Sequence, residues 1–245
     1  MRFVALLICA LALSACGVRS PFRQLPEYEE EIYLALDGTA TLNVNASIAS
    51  IVALRGANLP TDPRARVDRG DVRRFFEGPG VRVTSVSLSR RHTRRFAHVA
   101  IDVDDVRKLS QVAPFAWSRY RLDARGDAVD YQQLVGKGTG RAVSNVGWDG
   151  SEIVAFRMHI PSEILFHNTT GTQRGNILEW DQPLTARLAG EPLDLQVNME
   201  SRSILYSTLL LFGLTIVAAA LTFGVVIWWV VRRGRDDVGA TPASS

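Results

Sequence analysis

The sequence predicts an α+β protein: antiparallel hairpins with interspersed helices, a C-terminal all-β extension, and one C-terminal transmembrane helix. Three patterns predict it. Apolar and polar residues alternate in paired runs separated by turn signals, the period of half-buried strands. Between those pairs lie short segments with apolar residues at helical spacing. Near the end, residues 204–231 carry no charge at all.

The elements follow in order. Ile32, Leu34 and Leu36 share a face, Asp37-Gly38 signals a hairpin turn, and Leu42, Val44 and Ala46 resume the alternation. Ser47 to Leu54 is apolar with helical spacing and closes before Pro60. Asp62-Pro63 reads as a second helix start, with proline at the first helical position. Val67, Val72, Phe75 and Phe76 supply its apolar stripe, and Gly78-Pro79-Gly80 ends it. Val81 to Ser89 and Phe96 to Val103 are two strands joined by a basic turn. Asp104-Asp105 caps a short helix through Val112. Trp117 to Leu122 and Val129 to Val135 form a third hairpin.

Beyond it, Gly136 to Asp149 reads as a flexible linker. Only strand signals follow, at Ile153 to Ile160, Ile164 to Phe166, Ile177 to Trp180, Thr185 to Leu188 and Leu193 to Met199. Residues 137–203 are either a small β-rich unit or a continuation of the sheet in the outer domain, residues 28–136; the pattern allows both.

Both ends carry membrane signals. Arg2 precedes the short apolar run Phe3 to Leu13, the layout of an export signal. The run ends in Leu13-Ser14-Ala15-Cys16-Gly17, which resembles the lipobox of bacterial lipoproteins. That resemblance implies removal of residues 1–15, a diacylglyceryl group on the Cys16 sulfur, and a lipidated tether at 16–27. At the other end, 28 uncharged residues from Ile204 to Val231 make a helix of ~42 Å, enough for a ~30 Å hydrocarbon core with some tilt. Tyr206 and the pair Trp228-Trp229 fall near the two interfaces, where amphipathic rings prefer to lie. Arg232, Arg233 and Arg235 follow, so the positive-inside rule puts the tail 232–245 in the cytoplasm and the main domain outside. The predicted location is the bacterial cytoplasmic membrane. Ala220 and Gly224 give the span a small-x-x-x-small face for packing on another helix.

Composition narrows the function. Residues 17–203 hold 24 basic and 23 acidic groups, which leaves no broad basic footprint for nucleic acid. The only cysteines, Cys9 and Cys16, lie in the first 16 residues, so no disulfide framework is available. No Gly-x-Ser-x-Gly elbow occurs, and Gly136 to Gly140 lacks the Lys-Ser or Lys-Thr pair of a phosphate loop. His159, Glu163 and His167 contain metal-ligand residue types, but Pro161 interrupts their spacing. The chain therefore reads as non-enzymatic, with no cofactor or metal.

The segment Pro161 to Leu165, then Asn168, Gly171 and Asn176 to Trp180, resembles the closing hairpin of LppM-type bacterial lipoproteins. The resemblance implies a membrane-tethered α+β domain of lipid-binding type with no catalytic set, and Trp180 packs the hairpin. The densest charge cluster of the outer domain is Arg90, Arg91, Arg94 and Arg95, placed on a hairpin tip where it can meet anionic headgroups. The expected partners are membrane lipid, sheltered between helix and sheet, or alternatively a membrane protein for which the chain is a scaffold.

Overall fold

The computed structural model describes residues 25–91, 93–171 and 173–238. The leader, Cys16 and residues 239–245 lie outside the described residues.

The expected hairpins are present. Strands β1 (Tyr28–Leu34) and β2 (Ala40–Ser47) pair antiparallel, with Tyr28 opposite Ala46 and Leu34 opposite Ala40. Asp37 accepts the Thr39 backbone N–H at 2.9 Å and closes the turn. Helix α1 (Ile48–Arg55) starts where the Ser47 hydroxyl accepts the Ser50 N–H at 3.0 Å. It is apolar on nearly all sides, and all eight of its residues are buried.

The second helix begins later than its proline suggests. Asp62 accepts the Arg64 N–H in a local turn, and α2 (Arg69–Phe76) starts at Asp68, whose carboxylate accepts the Gly70 N–H. An aspartate side chain competes for the backbone in either setting, so a turn and a helix start look alike in sequence. Val72 and Phe76 remain the buried stripe.

Strands β3 (Val81–Arg91) and β4 (Arg94–Val103) pair as far as Arg91 opposite Arg94, and two short 3-10 helices, Val106–Gln111 capped by Asp105 and Ala113–Phe115 after Val112, stand in place of an α-helix. Strands β5 (Ser118–Arg125) and β6 (Ala128–Val135) form the third hairpin.

The last part of the chain completes both sheets. It holds β7 (Ile153–His159), β8 (Ser162–His167), β9 (Gln173–Arg174), β10 (Ile177–Pro183), helix α3 (Leu184–Ala189) and β11 (Leu193–Ser203). One sheet has seven strands in the order β3-β4-β2-β1-β7-β10-β9, with β1 and β7 parallel. The other has four, β5-β6-β11-β8. Residues 137–203 thus supply inner strands to both, and one apolar cluster unites Tyr28 and Phe156 of the large sheet with Tyr131 and Val197 of the small one.

Two further expectations change. Thr185 to Leu188 lies in α3, not in a strand; Pro183 precedes the helix, Gly190 ends it in the left-handed conformation, and Leu184 and Arg187 are buried. Gly136 to Gly140 is docked, not a free linker: Thr139 and Arg141 donate to the Leu54 and Val52 carbonyls of α1. A Cβ at Gly140 would collide with the Val52 and Ala53 carbonyl oxygens, so this crossing requires glycine.

Helix α4 (Ile204–Val238) follows β11 without an intervening residue. Its stretch Thr208–Trp229 is long and apolar enough to cross a membrane, with mean hydropathy 2.5 and no residue buried against the domain.

Candidate functional site

Chain topology sets two ends of the domain apart. Glu152 contacts the β3–β4 tip through Arg94, and β7 starts one residue later. That strand runs seven residues, roughly 20 Å, to His159. Ser162 then pairs with Ser203, the last residue before α4. The basic tip and the entry to the apolar helix are therefore separated by about the length of β7.

At the tip, the arginines are engaged by the protein itself. Arg91 donates to the Pro26 carbonyl at 2.8 Å and lies over the Phe96 ring at 3.9 Å. Arg94 donates to Glu152 at 2.8 Å and to the Gly147 carbonyl at 3.2 Å, with Glu27 at 3.6 Å. Arg95 and Arg90 reach the Pro63 carbonyl at 3.1 and 3.3 Å. Burial pushes the Glu152 carboxyl up, but hydrogen bonds from Arg94 and from the Asp149 and Gly150 N–H groups outweigh it, and the group sits below the ordinary glutamate range. The tip thus pins the loops around it and the point where residues 25–27 join the sheet.

At the other end, the outer face of the small sheet carries an open groove of about 210 Å3. Arg121, Asp123 and Arg125 line it from β5, Asp130 and Gln132 from β6, Gln196 and Asn198 from β11, and Phe166 from β8. Arg121 lies 3.5 Å from Asp123 and Arg125 lies 3.4 Å from Asp130, in loose, exposed pairs. Asn198 donates to Asp130 at 2.5 Å. Two arginines and two aspartates leave the groove without net charge. Beside it, Leu165 and Phe166 are 52% and 56% exposed.

Sequence reasoning missed a buried polar centre between the sheets. Arg55, fully buried, donates to Glu30, to the Tyr28 hydroxyl and to the Pro114 carbonyl. Gln133 donates to Glu30 at 3.1 Å and accepts the Tyr131 hydroxyl at 3.0 Å. Arg55 lies 4.1 Å from the Trp117 ring centre, and a second buried arginine, Arg187, lies 5.6 Å from it. Burial pushes the Tyr28 and Tyr131 hydroxyls well up, so both stay neutral donors. Strand parity carried a signal: Glu30 shares a face with Tyr28, Ile32 and Leu34. These groups contact one another and packed rings, which is the chemistry of a structural core.

The remaining candidates are dispersed. His159 bonds Glu31 at 2.8 Å and stacks on Tyr33, whereas His167 bonds Gln173 at 3.1 Å. Among the described residues, no group of three His, Cys, Asp or Glu side chains is placed to hold a metal. Ala220 and Gly224 lie exposed on α4. Trp180 is buried, and its indole donates to Asn168 at 3.0 Å.

No family model matches the chain, and no curated relative matches it. A solved structure that resembles it is the folded domain of LppM from Mycobacterium tuberculosis, with a TM-score of 0.41 and 13% identity over 75% of this chain and 95% of that one. At that level of likeness, function rests on the residues themselves.

Proposed function

We propose that the chain is a bacterial envelope lipoprotein with a C-terminal membrane span, whose outer domain binds phospholipid or another amphiphile at the membrane surface. The observation that carries this reading is the junction at Ser203: a strand inside the small sheet passes directly into an apolar helix. The five residues from Ser203 to Thr208 extend at most ~18 Å, so the end of the small sheet stays at the headgroups. The arginines after Val231 favour a cytoplasmic tail. A lipid on Cys16 would tether the opposite end of β7 to the same leaflet on up to ~40 Å of chain, long enough to leave that end in water.

Binding belongs on the surface of the domain. Ile51, Val72, Phe76 and Phe115 fill the space between the helices and the large sheet, so an acyl chain would have to displace packed side chains there. The tip arginines can meet a headgroup only with donors left over from their own contacts. In the second reading the chain is a scaffold, favoured by the open edges of β3 and β8 and by the uncovered Ala220–Gly224 face.

Native mass spectrometry of the full-length protein released from mixed-lipid nanodiscs separates the two. Retained phospholipid of discrete mass is the expected result. A bare protein mass, together with a membrane protein crosslinked through α4, would replace the lipid reading with the scaffold.

A further inference from the structure

Resting on the membrane-surface reading above, we propose that the groove on the outer face of the small sheet takes a zwitterionic phospholipid headgroup with a primary ammonium, and that Leu165 and Phe166 seat beside it in the bilayer interface. The starting observation is a β-bulge. Ile164 pairs with Met199 and Phe166 with Asn198, which leaves Leu165 opposite no residue. Regular alternation would send one of two consecutive side chains into the core. The bulge instead turns both Leu165 and Phe166 outward.

Position argues for lipid as the occupant. Strand β8 opens at Ser162, opposite Ser203, and Leu165 is three residues further on, roughly 10 Å along the strand. Two large apolar side chains at that distance from a helix entering the bilayer lie within reach of the interface.

Charge selects the headgroup. Gln132 pairs with Arg121 and Gln196, and one row on, Asp130 pairs with Asp123 and Asn198, with Phe166 at its end. Arg125 closes the groove opposite Ala128. An arginine fork donates to phosphate oxygens, and the adjacent carboxylates accept from an ammonium. A phosphatidylglycerol headgroup would bring Asp123 and Asp130 neutral hydroxyl donors but no cation, and a trimethylated headgroup has no N–H to donate.

The test uses the full-length protein in nanodiscs of phosphatidylethanolamine, phosphatidylcholine or phosphatidylglycerol. Nitroxide labels on L165C and F166C report collision with oxygen against a water-soluble nickel reagent, and labels on S203C and S89C serve as near and far references. Native mass spectrometry from an equimolar mixture reports lipid preference. The expected result is interfacial collision behaviour at 165 and 166 and selective retention of phosphatidylethanolamine. R121A/R125A lowers that retention about ten-fold or more, and D123N/D130N abolishes the preference over phosphatidylcholine. Water-like labels at 165 and 166 with an interfacial label at 203, or equal or greater retention of phosphatidylglycerol, overturn the groove assignment and leave the surface reading intact. A label at 203 as water-exposed as the one at 89 overturns both.

Discussion

Asn168 accepts the Trp180 indole N–H at 3.0 Å and the Gln196 backbone N–H at 2.9 Å, while its own amide donates to the Asp194 carbonyl at 2.8 Å. One side chain therefore ties β10 of the large sheet to β11 of the small one. N168A strands a buried indole donor and a strand N–H, and should cost about 1–3 kcal/mol. N168D keeps the acceptor for both and should recover part of that loss. Chemical denaturation followed by tryptophan fluorescence measures both.

The strands around this joint were largely legible in sequence. Ile32, Leu42, Val99 and Val154 sit in alternating runs, and burial of one sheet face produces that alternation directly. The parallel pairing of β1 with β7 was not legible, because contacts between residues 28 and 154 leave no local trace. Helix α3 is not legible as a helix because six residues hold fewer than two turns of periodicity, and its most buried long side chain is an arginine. The groove is hidden for a related reason: Arg121, Asp123 and Arg125 look like any solvated strand face until β6, β11 and β8 extend that face as far as Phe166.

Arg55 and Glu30 form a buried ion pair, with Glu30 also held by Tyr28 and Gln133. R55M leaves a buried carboxylate without its cation and should destabilise the domain by about 3–5 kcal/mol. R55M/E30Q removes the stranded charge and should be more stable than R55M. A double-mutant cycle in denaturant checks the coupling.

The Glu152 carboxyl is held below its ordinary value in the folded domain. Its contribution to stability is therefore complete above the unfolded-state value of about 4.5 and is lost as pH falls through the lower folded value. E152Q should be less stable than the parent at neutral pH, and the difference should shrink toward zero in acid. Denaturation midpoints between neutral pH and strong acid measure that convergence.

The proposed function requires that the strand-to-helix junction at Ser203 hold the small sheet against the bilayer. Neutron reflectometry of the full-length protein in a supported bilayer tests it most directly. Protein density should begin in the outer headgroup layer and continue into the domain without a break. A water-filled layer of ~20 Å or more between headgroups and domain, beyond the reach of five extended residues, would contradict it.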